Sequence, residues 1–452
     1  MSASRLPVYD RRRAGVLLHL SSLDAPLGRG GRAFIDWLAQ AGFSVWQVLP
    51  VGPTGHGGSP YWVRSDFAGN VAFIDPAEPP STSSSEYAAF LEATRTWLDD
   101  YALFEALSAA HGGEPWWEWP EEFRKRDPAA IARVRHVHAD EIERCRREQF
   151  AFAWQWSRLR EYAHARGVRL FGDLPFYVAP DSAETWAHPE QFQLDSHGRA
   201  KAVAGVPPDY FSETGQLWGN PLYDWRTMRG DGFTFWRARL HCQLERVDLL
   251  RIDHFRALAA HWCIPAGAPD ARGGAWHRTP GRAFLKALRE DFGDLPIVAE
   301  DLGLITPDVV ALRKDFGLPG MRVLQFAFSG SPDDLHLPHM HERDCIVYTG
   351  THDNDTTLGW FLSLDSETQR RVEHFLRLTP GAMPEALIRA ALGSVGELAI
   401  LPMQDVLGLG SEARLNTPGT STGNWSWRLP EDALTPDLAH RFALLNKTYG
   451  RT

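Results

Sequence analysis

Four short β-rich apolar runs end in ionisable residues: Asp173 in VRLFGD, Arg251 and Asp253 in VDLLRID, Glu300 and Asp301 in LPIVAED, and His352 with Asp353 just past CIVYTG. Arg251 and Asp253 stand two apart, so on a strand both side chains leave the same face. A guanidinium beside a carboxylate lowers its pKa, and an ionised carboxylate is what a nucleophile requires. A lone R-x-D is usually a structural ion pair, but the spacing of the other acids changes the odds. Glu300 follows Asp253 by 47 residues and Asp353 follows Glu300 by 53, so three carboxylates converge from different strands. Such a set, without a nucleophilic Ser or Cys, suits glycoside chemistry: one acid attacks the anomeric carbon and a protonated one serves the departing oxygen. A third stabilises the oxocarbenium-like charge or binds hydroxyls. Glu300 follows the apolar Ile297, Val298 and Ala299 and sits near other acids, both of which raise a carboxyl's pKa. The competing use of these acids is a hard divalent cation, held by HDND (352–355) with Asp253 and Glu300; the adjacent Arg251 opposes it. No metal and no cofactor are therefore expected.

Strand ends must be brought together by a scaffold. Eight apolar runs fit strands: 15–20, 45–50, 168–173, 247–253, 295–301, 321–326, 345–350 and 398–402. Helical patterns separate most of them. GRAFIDWLAQAG ends on Gly42, as a helix C-terminus prefers, and TPDVVALRKDFG carries Pro307 in its first turn and Gly317 after its last. The alternation predicts an α/β fold, a (β/α)8 barrel with mostly helical and loop insertions, its site at the carboxyl ends of the strands. A bare barrel takes about 250 residues, so the 452-residue chain carries large additions. Residues 1–80 read as the first two barrel strands, 81–165 as a mainly helical insertion opened by the linker PAEPPSTSSSE (76–86), and 166–452 as the rest of the barrel. Within that rest, 175–235 reads as a Gly-, Pro- and aromatic-rich lid.

Composition narrows the partners. A net charge of −10 argues against nucleic acid and against a polybasic membrane surface. No run approaches a membrane span, and the basic N-terminus precedes too short an apolar stretch for a signal peptide. Cys145, Cys242, Cys263 and Cys345 form no C-x-x-C pair and fit reduced thiols in a cytoplasmic protein. Oligomeric state is not legible. The 18 Trp, 10 Tyr and 24 Phe exceed what a core alone explains, since several lie in loops.

The chain resembles the 4-α-glucanotransferases, or amylomaltases, of the α-amylase clan. The resemblance is carried by GPTGHGGSPY (52–61), GDLPFYVA (172–179), GVPPDYFSETGQLWGNPLYDW (205–225), RIDHFRAL (251–258), IVAEDLGLITP (297–307), GLPGMRVLQFAF (317–328), YTGTHDNDTTLGW (348–360) and RLNTPGTSTGNWSWR (414–428), in order from about Arg12 to Arg428. It implies that Asp253 is the nucleophile, Glu300 the general acid/base and Asp353 the transition-state stabiliser. It also implies that Arg251 and His352 contact donor sugar or hold the nucleophile, that Asp173 is structural or contacts donor sugar, that Pro208, Asp209 and Tyr210 belong to a loop covering the cleft, and that Tyr61 lies at its edge. The substrates so implied are malto-oligosaccharides and α-1,4-glucans. Transfer over hydrolysis rests on the resemblance alone; an α-glucan hydrolase of the same clan is the alternative, and a silent glucan-binding protein a more distant one. The chain departs from the family pattern at His56, Gly58 and Trp62, in Leu337-Pro338-His339-Met340, and at Ala257, none of them among the three acids.

Overall fold

The computed structural model describes residues 7–208, 212–379 and 381–452. Its frame is one eight-stranded parallel sheet: β1 Arg13–Leu17, β2 Val45–Gln47, β3 Arg169–Leu174, β4 Leu249–Ile252, β5 Ile297–Ala299, β6 Gly320–Val323, β7 Cys345–Tyr348 and β8 Leu398–Pro402. Each falls within or against a predicted run. The ladder runs β6-β7-β8-β1-β2-β3-β4-β5, so the order is sequential around a nearly closed barrel. The last gap, between β5 and β6, is bridged without a full ladder. Ala299 N–H donates to the Pro319 carbonyl at 2.9 Å, and Met321 N–H donates to the buried Asp301 carboxylate at 2.7 Å. Gly320 permits that approach, since a Cβ there would lie 2.4 Å from the Asp301 carboxylate.

Alternation along the strands splits the apolar core in two. Phe171, Leu249, Val298, Met321, Val323, Ile346 and Tyr348 point into the barrel and pack on one another. Leu170, Leu250, Ile252, Ile297, Ala299 and Val347 point outward, under the helices. Among those helices are Arg29–Gln40, Thr234–Arg246, Gly281–Phe292 and Pro307–Asp315. Gly42 takes φ +72° just beyond the first, where glycine carries no Cβ penalty.

Between β2 and β3 the chain forms the long helices Ser85–Ala110 and Ala139–Ala165, with Pro128–Val137 between them. They enclose an apolar cluster of their own that includes Leu103, Phe104, Trp116, Trp119 and Trp186. Segment 175–235, read from the sequence as a Gly-, Pro- and aromatic-rich lid, contains half of a second sheet. Its antiparallel strands Ala202–Val206 and Gln216–Pro221 are joined by Ala260–Pro265 and Ala275–Arg278, from beyond β4. This sheet was missed because its strands are short and partly solvated, and two of them, Ala202–Val206 and Gln216–Pro221, contain glycine. Among the described residues no helix is long and apolar enough to cross a membrane, and the four cysteines are free.

Candidate active site

The same alternation that fills the barrel delivers the site. Asp173 is two residues past Phe171, Arg251 two past Leu249, and Glu300 two past Val298, so each stands on the inward face at the carboxyl end of its strand. Asp301, one residue on, turns the other way. It is buried against Arg313 Nε at 3.2 Å and Arg322 Nη1 at 3.5 Å, and it serves barrel closure.

Arg251 anchors the cluster. Its Nη1 donates to both oxygens of Asp173, at 2.8 and 2.6 Å, and its Nη2 to Asp253 at 2.6 Å. The Asp173 side chain is fully buried and also accepts from the Tyr61 hydroxyl at 2.7 Å. Burial, with Asp173 beside it, pushes that hydroxyl well above its ordinary range, so it remains a donor. Burial alone would discharge Arg251, but Asp173 and Asp253 more than offset it and keep the guanidinium charged.

Asp253 keeps a third of its side-chain surface exposed. The expectation that Arg251 would hold it below the usual carboxylate range is not met. Burial outweighs the guanidinium and raises Asp253, because Asp173 already shares that charge. Glu300 is pushed up to about 8, by burial first and by the Asp253 carboxylate second. The two acids share one proton more readily than none. Glu300 holds it, because Arg251 grips Asp253 directly, whereas the weaker pull of backbone N–H groups, His254 on Oε2 and Leu302 on Oε1, each at 2.8 Å, only partly offsets the burial of Glu300. Opposed protonation of two neighbouring carboxyls is the arrangement that separates acid from nucleophile.

Asp353 lies opposite, with half its side chain exposed. Its Oδ1 accepts from Asn416 Nδ2 at 2.7 Å and lies 3.3 Å from His352 Nε2. Arg414 fixes the loop by donating to the carbonyls of Asp353 at 2.6 Å and Asn416 at 2.8 Å. The His352 ring stacks on Tyr61, centroids 5.0 Å apart and planes within 15°, and Trp425 closes on both at about 6 Å. Asp253 feels the charges of both His352 and Asp353, so the three predicted acids occupy one field at one rim.

The other predicted residues divide. Tyr61, Asp173, Arg251 and His352 join the cluster. Pro208 is exposed just past the strand Ala202–Val206, and no described contact ties it to the acids. Asp209 and Tyr210 lie outside the described residues, as does Phe211. Of the lid aromatics, Tyr223 is buried and donates to the Phe176 carbonyl at 2.6 Å, Trp225 packs against Phe176 and Phe284, and Trp218 stands edge-on to His254 at 4.7 Å. Asn416, Arg414, Trp425 and His254 were not singled out from the sequence. The first three lie in the motif RLNTPGTSTGNWSWR, but an aperiodic loop does not reveal which of its side chains turns inward. Among the described residues no group of three His, Cys, Asp or Glu side chains is placed to hold a metal ion.

The comparisons with known proteins agree with this architecture. The chain matches the 4-alpha-glucanotransferase family over residues 18–82 and 77–435. It is 46% identical to the 4-alpha-glucanotransferase of Thermus thermophilus, covering 95% of this chain and 97% of that protein. It is 42% identical to the 4-alpha-glucanotransferase of a Synechocystis strain, covering 98% and 99%. Among solved structures, the amylomaltase from Streptococcus agalactiae in complex with acarbose superposes with a TM-score of 0.93 at 32% identity, over 98% of this chain and all of that one. With matches that span nearly its whole length, the chain is an enzyme that belongs to the 4-alpha-glucanotransferase family.

Proposed function

We propose that the enzyme moves α-1,4-glucan segments between malto-oligosaccharides through a covalent glucosyl–Asp253 intermediate. The Asp253 carboxylate attacks the anomeric carbon while Glu300 gives its proton to the departing glycosidic oxygen. An acceptor hydroxyl then loses its proton to Glu300 and displaces Asp253, so two inversions retain the α configuration. Asp353 faces the oxocarbenium-like charge that develops between the two steps. Arg251, donating to Asp253 at 2.6 Å, opposes the rise that burial imposes on that carboxyl, and Asp173 with Tyr61 keeps Arg251 in place. Pro208, Asp209 and Tyr210 are read as part of the cover over the cleft, with Trp218 offering a ring face to sugar.

The observation that carries this reading is the split between Asp253, gripped by Arg251 at 2.6 Å, and Glu300, whose pKa is lifted to about 8. The names of the Thermus and Streptococcus relatives support the choice of transfer to an acceptor sugar. Cytoplasmic residence, which four free thiols would suit, and the division into barrel, helical insertion 81–165 and lid 175–235 belong to the same proposal. Incubation with maltotriose tests it: glucose should appear together with chains longer than the donor. Glucose and maltose without elongation would assign the enzyme to hydrolysis instead.

A further inference from the structure

The residue after Asp253 has an unusual backbone. His254 sits at φ +49°, ψ +44°, the left-handed region that side chains with a Cβ enter only at a steric cost. The turn has a chemical result: it directs the His254 N–H at Glu300 Oε2, 2.8 Å away, while Leu302 N–H takes Oε1. With one lone pair of each oxygen occupied, the carboxyl is held in a single rotamer and its proton is confined to the sides that remain free. The side chain of His254 pays back the turn through packing. Its ring meets the edge of Trp218 at 4.7 Å and 86°, and Tyr177 lies 6.3 Å away. Burial, with Arg256 and His261 nearby, holds the ring neutral with a pKa of about 3, so it packs as an uncharged aromatic. Trp218 belongs to the strand Gln216–Pro221 of the second sheet, which ties that sheet to the acid.

We propose that His254 is a positioning residue: its left-handed turn, clamped by Trp218 and Tyr177, aims a backbone N–H at Glu300 and fixes the rotamer in which that carboxyl presents its proton. The proposal rests on the reading of Glu300 as acid/base and adds to it a residue that acts through main chain rather than side chain. It also predicts an order of tolerance that no side-chain role would produce. Glycine and asparagine enter the left-handed region readily, whereas a β-branched residue does not.

The test is the pH dependence of kcat/KM with maltotriose for His254→Gly, His254→Asn and His254→Val. The charged groups that act on Glu300, namely Asp253 and Arg251 and, from the other face of the strand, Asp301, are unchanged across the series. The alkaline limb near pH 8 should stay in place for Gly and Asn. For Val it should move up by about one unit, because the lost N–H no longer favours the carboxylate, with kcat lower by about ten- to a hundred-fold. Near-UV circular dichroism checks folding, and His254→Ala replaces Val in the series if Val does not fold. A limb that stays put in Val, or moves equally in Gly and Val, overturns the proposal; the latter would assign the effect to the missing ring. Glu300→Gln separates the two levels of argument. Full activity in that variant removes the acid/base assignment and the proposal with it, whereas an inactive Glu300→Gln beside parallel His254 profiles removes only the positioning role.

Discussion

The molecule contains two buried sets of one arginine, one aspartate and one glutamate, and they do different things. In the first, Arg251 grips Asp253 beside Glu300. In the second, Arg239 Nη2 lies 3.1 Å from Asp66, and Glu184 accepts from Ser65 Oγ at 2.5 Å. Both glutamates are pushed up to about 8, each by burial first and by the neighbouring aspartate second. The difference is access. Arg239 is completely buried and Asp66 nearly so, whereas Asp253 and Asp353 keep 33% and 47% of their side-chain surface. Arg239 also donates to the carbonyls of Pro175 and Phe176 and to the Tyr223 oxygen, pinning the chain just beyond β3 to Tyr223. A strongly shifted carboxyl thus marks a function only where solvent or substrate can reach its partner.

Substitutions should separate the two sets. The largest effect is expected from Asp253→Asn, which removes the proposed nucleophile: transfer on maltotriose should fall about ten-thousand-fold, with an unchanged melting temperature. Next comes Arg239→Ala, which strands Asp66 as an unpaired buried acid. It should cost about 3–5 kcal/mol in denaturant unfolding, while the folded fraction keeps its activity within about three-fold. A loss of turnover as deep as that of Asp253→Asn would erase the distinction drawn between the sets.

The pH dependence sharpens the comparison. Glu184 holds a proton in the native state up to about 8, against an ordinary value of 4.5. The folded protein therefore binds more protons than the unfolded chain between those values, and stability falls as pH rises through that window. Glu184→Gln should remove a slope of about 1.4 kcal/mol per pH unit and leave turnover intact, whereas Glu300→Gln should remove a slope of the same sign together with activity. Urea titrations at pH 5, 6, 7 and 8 read both. The smallest effect is expected from Tyr61→Phe, which takes one donor from Asp173 at 2.7 Å. About a ten-fold loss in kcat/KM is expected, and none at all would mean that Arg251 alone holds Asp173.

Much of this was legible before any coordinate. The strand ends at Asp173, Arg251 and Glu300 could be found because apolar strand runs are easily seen and the active end of a barrel follows the chain direction. The sign of the shift on Asp253 could not, since it depends first on burial and then on a third group, Asp173, competing for the same guanidinium. The second cluster stayed hidden for a related reason: Asp66, Glu184 and Arg239 come from a loop and two helices that share no periodicity. The second sheet escaped because its strands are short and partly solvated, and Gly205 and Gly219 interrupt two of them.

The order of residues alone determined the barrel and the face of each strand that carries its acid, because alternation along a strand is a property of local geometry, and its motifs alone carried the resemblance to the family. Only the tertiary structure decided which carboxyl keeps a proton, which arginine seals and which one serves, and that Asn416 reaches Asp353. Those outcomes depend on burial and on distances between groups far apart along the chain, and no local pattern encodes either.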